Sequence, residues 1–260
     1  MKQPAIILIC HKAPFGKAMA AALKERFGDG FVGVLAIDRK KSRLKQLRRR
    51  IKKALTTTAL ERRVLRVERK LAREAESVFL QRAKPPETWP QGIAVHYTDN
   101  PNNAASIAWL ADHAPDIIAV TGAPILRQPV FDLAPMGALN MHSSILPDYR
   151  GTQAEFWQVL EGRVDTCGVT IHYIDAGVDT GQIVLQRPTQ ADPTTSPQMV
   201  RTRNLITALD AMPDALESVF DGSADPRQQG QGGTARRSQD KTLALRARLL
   251  AGLGYRAMNT

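Results

Sequence analysis

Three polar residues stand where the chain is otherwise apolar, and their types suit one chemistry. Asn140 and His142 interrupt the run Ala138, Leu139, Met141, and the two-residue period of a strand puts both on one face. Asp179 follows in Asp175-Ala176-Gly177-Val178-Asp179-Thr180-Gly181, a loop whose glycines permit close backbone approach to a ligand. An amide can donate to a developing oxyanion, an imidazole can move a proton, and a carboxylate can fix the imidazole. Together they suit acyl transfer. Ser143 and Ser144 follow His142 directly but lack the G-x-S-x-G frame of a nucleophile elbow. Direct transfer between two bound substrates is therefore favoured over a covalent acyl-enzyme. The competing structural reading is a strand-end histidine satisfied by a carbonyl, with an aspartate in an exposed turn.

These groups need a scaffold, and the flanking sequence supplies an α/β one. Ala5 to Cys10 is a continuous apolar run of strand length, Ala18 to Phe27 reads as a helix and Phe31 to Ile37 as a second strand. This βαβ opening predicts a doubly wound, Rossmann-like, mostly parallel sheet, with ligands beyond the carboxyl ends of its strands. Further strands are expected at Ile93 to Tyr97, Asp116 to Thr121, Gly168 to Ile174 and Ile183 to Gln186. Helices are expected at Asn103 to His113, with Asp99 or Asn102 as N-cap, and at Glu155 to Leu160.

The residues Asn140-x-His142-x-Ser144-x-Leu146-Pro147, followed by Val178-Asp179-Thr180-Gly181, resemble the formyltransferase family that uses 10-formyltetrahydrofolate. That family includes glycinamide ribonucleotide, methionyl-tRNA and sugar-amine formyltransferases. The likeness runs from about Asp116 to Gln186. It implies Asn140, His142 and Asp179 as the catalytic trio and 10-formyltetrahydrofolate as formyl donor, with no metal. It also implies that Pro124, Ile125 and Leu126 hold the pterin-like ring and that Asp175, Gly177 and Val178 form the opposite wall. Arg127 is read either as reaching the folate tail or an acceptor anion, or equally as solvated. His11, Lys12 and Arg150 are the candidate acceptor contacts. The glycinamide branch is expected to carry an Asn-Gly-Ser-Asn-like phosphate loop where this chain has His11-Lys12-Ala13-Pro14, which counts against that acceptor.

Charge is concentrated in one segment. The chain of 260 residues carries a formal +11, and ten Lys or Arg with no acid lie between Arg39 and Lys53. Leu44, Leu47, Ile51 and Leu55, then Leu60, Val64, Val67, Leu71, Ala75 and Val78, mark two apolar stripes at helical spacing. Residues 39–80 are thus expected to form an inserted basic helical hairpin, packed on itself or against another subunit. Its basic face is read as solvated, as a surface for RNA phosphates, or as a contact for an anionic substrate or membrane surface. No aromatic interleaves the basic run, which argues against base stacking.

The domain reading is a catalytic unit over 1–190, then 191–260 with a helix near Ser196 to Phe220, a flexible Gly/Gln/Ser/Arg-rich linker over Gly222 to Lys241 and a closing helix over Leu243 to Leu253. Pro213 is expected to kink or divide the first of these helices. Cys10 and Cys167 fit no metal spacing and read as small buried hydrophobes. The N-terminal apolar run is too short for a signal peptide or a membrane span, so a cytoplasmic location is expected. Methionyl-tRNA formyltransferases are expected to add a C-terminal β-barrel, and no alternating strands follow residue 190 here. A small-molecule amine, such as an amino sugar, is therefore the preferred acceptor. Formylation of an RNA-linked amine and hydrolysis of 10-formyltetrahydrofolate are the alternatives, with RNA binding on a non-catalytic scaffold a further one.

Overall fold

The computed structural model describes residues 4–39, 56–233 and 235–255. In chain order the elements are β1 (Ile6–His11), α1 (Pro14–Phe27), β2 (Phe31–Ile37), α2 (Ala59–Ala83), β3 (Ala94–Thr98), α3 (Ala104–Asp112), β4 (Ile117–Thr121), α4 (Gln128–Phe131), β5 (Ala138–His142), α5 (Ala154–Leu160), β6 (Gly168–Tyr173), β7 (Ile183–Pro188), α6 (Pro197–Asp221) and α7 (Leu243–Gly252). Seven strands form one sheet in the order β3-β2-β1-β4-β5-β6-β7. The first five are parallel, whereas β6 pairs antiparallel to β5 and β7 antiparallel to β6. The expected Rossmann-like α/β class is thus the observed one.

Burial on both faces explains the apolar runs. Ile6, Leu8, Ile117, Ala119, Leu139 and Met141 face α1 and α6, while Ile7, Ile9, Ile118, Val120 and Ala138 face the side carrying α3 and α4. Each of these larger side chains stabilises the sheet by roughly 1.5–3 kcal/mol on leaving water. Strand order reverses at β1, with β2 and β3 to one side and β4 and β5 to the other. The loops after β1 and β4 therefore splay apart and leave a crevice.

Four local expectations change. The N-cap of α3 is neither Asp99 nor Asn102 but Asn103, whose side chain accepts from the Ser106 amide at 2.8 Å. Asn102 instead donates to the Ile125 carbonyl and accepts from the Arg127 amide, stapling the loop after β4. Helix α6 continues through Pro213. One lost intrahelical bond is outweighed there by the buried Ala208, Ala211, Met212, Ala215 and Leu216. Helix α2, capped by Thr58 with the Glu61 amide at 3.1 Å, covers the part of the expected hairpin that is described. Its stripe of Val64, Leu71, Ala75 and Phe79 packs on α6 and α7 of the same chain, with Thr202 donating to the Ala75 carbonyl and Arg246 paired with Glu68. The first half, Leu44 to Leu55, lies outside the described residues.

The stretch whose composition marks a linker is hydrogen-bonded to β7 and to the loop after β5. Arg227 exchanges backbone bonds with Ile183, and Arg236 bridges Gly151, its amide donating to the Arg150 carbonyl at 3.0 Å and its carbonyl accepting from Thr152 at 2.9 Å. Gly151 has φ +86°, and a Cβ there would stand 2.2 Å from the Arg236 carbonyl oxygen. Gly222 shares the positive φ at +76° but has open space around it. Gly151→Ala is expected to cost more than about 2 kcal/mol, combining left-handed strain with a backbone clash, and Gly222→Ala only about 1 kcal/mol. Urea midpoints of the two variants measure the difference, and equal losses would mean that the Gly151–Arg236 contact is not closely packed.

Candidate active site

The site begins as a cross-strand pair. The β5–β6 ladder sets Asn140 opposite His172 and His142 opposite Thr170, so four side chains share the sheet face on which α3 lies. His172 Nδ1 stands 2.8 Å from the Tyr173 carbonyl and must donate to it. Its Nε2 is then an acceptor, 3.1 Å from Asn140 Nδ2. This chain of bonds fixes which way the Asn140 amide points. One Nδ2 hydrogen is held by His172, which leaves the second for another acceptor.

Burial supports that tautomer. His172 is 2% exposed, and desolvation pushes its pKa down to about 4, with the charge of His142 adding to the effect and Asp179 opposing it. Sequence reasoning missed this residue. Its one signal was a polar ring two positions after Thr170 in an apolar strand.

Asp179 reaches the pair by an indirect route. Because β6 runs antiparallel, its carboxyl end lies beside the start of β5, with Tyr173 opposite Leu139. The loop after it must return along the sheet face to bring its carboxylate to His142. Asp175 braces this return, accepting from the Gly177 amide and the Thr180 hydroxyl. At the tip Asp179 takes φ +52°, a left-handed conformation that costs roughly 1–3 kcal/mol and collects at functional sites. Its Oδ2 accepts from the Gly151 amide at 2.7 Å and lies 3.4 Å from His142 Nδ1, while Oδ1 lies 3.7 Å from His172 Nε2. His142 Nε2 donates to the Tyr149 carbonyl at 2.6 Å, an oxygen that also accepts from Ser144. The Nδ1 edge of His142, facing Asp179, is therefore where this ring can gain a proton.

Both serines are structurally engaged. Ser144 is fully buried and donates to Tyr149, and Ser143 accepts from Asn204. The covalent alternative finds no poised hydroxyl there.

The other expected site residues divide. Pro124 and Ile125 line an open groove of about 720 Å³ with Arg39, Asp99, Asn100, Asn102 and Arg127. Leu126, by contrast, is 6% exposed and packs in the core with Ile9 and Val130. It anchors the loop. Ile125 and Val178 are two of the four large hydrophobics left exposed among the described residues, which fits apolar walls for a flat ring. The Asp175 carboxylate is used within its own loop, and Gly177 has no room for a Cβ beside Thr180.

His11 ends β1 and lies two strands from His142, about 10 Å by strand spacing. Lys12 pairs with Asp38 at 3.3 Å and lies over the Tyr97 ring. Arg150 is drawn to the C-terminal segment, donating to Gln229 and Gly230. Burial raises the thiols of Cys10 and Cys167 to about 12 and about 11, as expected of packed hydrophobes. Among the described residues no cluster of His, Cys, Asp or Glu could hold a metal ion, and no helix is long and apolar enough to cross a membrane.

An amide, two imidazoles and a carboxylate thus meet on one face of a doubly wound sheet. The chain belongs to the formyl transferase family, whose sequence profile matches residues 5–216. A methionyl-tRNA formyltransferase from Desulfotalea psychrophila is 48% identical over 79 residues, which make up 30% of this chain and 24% of that one. One from Chlorobium chlorochromatii is 30% identical over 63% of this chain and 49% of its own. The chain thus aligns with a quarter to a half of the length of these curated relatives. Among solved structures, a sugar N-formyltransferase from a Shewanella species superposes with a TM-score of 0.59 at 14% identity, covering 91% of this chain and 78% of that one. That likeness is one of fold.

The buried His172 makes stability depend on pH. Its pKa is lower folded than the ordinary 6.5, so between 6.5 and about 4 the unfolded chain binds a proton that the folded one does not. The contribution is complete above pH 6.5 and is lost as pH falls towards 4. Melting temperatures across pH 4–8 should therefore fall more steeply on the acid side for the unmodified protein than for His172→Gln. Parallel curves would show that His172 is not held neutral.

Proposed function

We propose that the chain transfers a formyl group from 10-formyltetrahydrofolate to the primary amine of a small-molecule acceptor. The observation that carries this reading is the convergence of Asn140, His142 and Asp179, with the carboxylate 3.4 Å from the imidazole. The exposed Ile125 and Val178 suit the faces of the donor's heterocycle, and Pro124 extends that wall. Arg39 and Arg127 in the adjoining groove suit its carboxylate tail. When bound, the donor supplies an activated formyl carbon next to a nitrogen leaving group.

The chain's residues then have distinct tasks. Binding both substrates across one crevice removes most of the entropy cost of their encounter. As the amine attacks, the carbonyl electron pair moves onto the formyl oxygen, which accepts the remaining Nδ2 hydrogen of Asn140. The proton shed by the amine enters the gap between His142 Nδ1 and Asp179 Oδ2. The same His142–Asp179 pair would return that proton to the donor nitrogen as the bond from it to the formyl carbon breaks. His172 keeps the Asn140 amide aimed throughout. One well-placed donor of the Asn140 kind is worth about 3 kcal/mol of transition-state stabilisation, or roughly two orders of magnitude in rate.

A second reading has an RNA-linked amine as acceptor. It is favoured by the 48% identity to a methionyl-tRNA formyltransferase across 79 residues and by the ten basic residues of 39–53. Release of tetrahydrofolate, followed by absorbance with nucleotide-linked amino sugars, amino acids and charged tRNA in turn, separates these acceptors. Asn140→Ala and Asp179→Ala are each expected to lower kcat about 100-fold or more with circular dichroism unchanged. Near-normal transfer in either variant would remove the proposed roles, and release without any acceptor would make the chain a hydrolase.

A further inference from the structure

The Asp179 tip is held from outside the stretch that the family profile covers. Gln229 lies past residue 216, the end of that match. Its Nε2 donates to two carbonyls that flank Thr180, Asp179 O at 3.0 Å and Gly181 O at 2.7 Å. Its Oε1 accepts from Arg150 at 3.1 Å. One side-chain amide thus spans the tip of the returning loop and ties it to the residue preceding Gly151, whose own amide holds the Asp179 carboxylate.

The segment carrying Gln229 is itself fixed at two points. Arg227 pairs with Ile183 at the start of β7, and Arg236 pairs with Gly151. Gly232 leaves no room for a Cβ against the Pro147 carbonyl, so the segment lies directly on the loop that follows His142.

We propose that Gln229 is a positioning residue for the transfer reaction: by bridging the carbonyls of Asp179 and Gly181 it sets the aim of the Asp179 carboxylate at His142. The inference rests on the formyl-transfer reading for its kinetic consequence and on the hydrogen bonds alone for its structural one. Gln229 need touch neither substrate. Its two donor hydrogens replace the strand partner that carbonyls on a returning loop do not have, and they hold the left-handed turn at Asp179 in a single orientation. Bulk at position 229 is not enough, because only an N–H group can serve both oxygens.

Two variants of the full chain separate donation from packing. Gln229→Met keeps the length and loses both donors. Gln229→Glu keeps the shape and sets an acceptor against two acceptors. Hydrogen–deuterium exchange reads the loop without need of activity. Uptake over 175–183 is expected to rise at least fivefold in both variants, with the β1, β4 and β5 peptides unchanged. In steady state kcat is expected to fall at least 10-fold, with the KM for 10-formyltetrahydrofolate within threefold of the unmodified value. The acid limb of the kcat–pH profile is expected to move, since the His142–Asp179 contact is altered.

Unchanged exchange over 175–183 in either variant would overturn the proposal. So would faster exchange with unaltered kcat and pH profile, which would make Gln229 a brace only. A loss of activity that merely follows a global rise in exchange would overturn it as well. If the unmodified protein forms no tetrahydrofolate with any amine, the formyl-transfer reading fails by itself, and the exchange comparison still decides whether Gln229 holds the loop.

Discussion

The antiparallel pairing of β6 with β5 is the constraint on which the site depends. It sets His172 directly across from Asn140, which a parallel neighbour of the same sequence would not do in this register. It also delivers the following loop to the wrong end of the sheet. The chain answers by folding that loop back along the face, and the return leaves polar backbone groups without a ladder. Those not met by water need another partner, because an unpaired buried carbonyl or amide costs about as much as the bond it lacks. Asp175 accepts from the Gly177 amide and Gln229 donates to the Asp179 and Gly181 carbonyls, while the Gly151 amide holds the Asp179 carboxylate. The positive φ of Asp179 is the residual strain of the same manoeuvre.

Magnitudes show why such strain is tolerated. A carboxylate and a protonated imidazole 3.4 Å apart attract by about 5 kcal/mol at an effective dielectric constant near 20, before desolvation is counted. The left-handed turn costs roughly 1–3 kcal/mol, and the Gly151 amide adds a charge-assisted bond worth about 1.5–3 kcal/mol. The local balance thus favours the turn while the imidazole carries its proton, and the Gly151 amide roughly offsets the cost of the turn when it does not. His172 works in the opposite sense. Removing water from it disfavours its charge, so the ring stays an acceptor for Asn140. The two histidines on one face differ in which ring nitrogen meets a carbonyl, Nδ1 in His172 and Nε2 in His142.

Much of this was legible in the residues and some was not, for identifiable reasons. Strands such as Phe31–Ile37 were readable because their apolar runs have no competing period. Asn140, His142 and Asp179 were readable as polar interruptions with a family likeness behind them. The direction of β6 was not, since a buried strand has the same pattern whether it pairs parallel or antiparallel. Without that direction, neither the register partner of Asn140 nor the return of the loop can be inferred, and His172 stays one more histidine. Asn102 and Asn103 show the limit at finer scale. Both are good cap residues, and only the packing of the loop after β4 assigns one to the helix and the other to Ile125 and Arg127.

Composition was a poor guide over 222–241 because it reports what a segment can bury, not what it can pair. Glycine-rich chain that covers little apolar area is expected to be loose, yet glycine also lets two backbones approach closely. Gly151 and Gly232 do so here, each with less than 3 Å between a would-be Cβ and a facing carbonyl oxygen. Small residues then serve contact, and the stability they lack in apolar burial is supplied by backbone bonds to Ile183, Arg150 and Thr152. The same contacts decide what Arg150 can do. Its guanidinium donates to Gln229 and Gly230, whereas the polar groups at the end of β1 are held less firmly. His11 is exposed there, and Lys12 is only half-committed to Asp38, since an exposed pair of that kind is worth less than about 1 kcal/mol. That pairing exchanges at little cost, whereas drawing Arg150 away breaks its bond to Gln229.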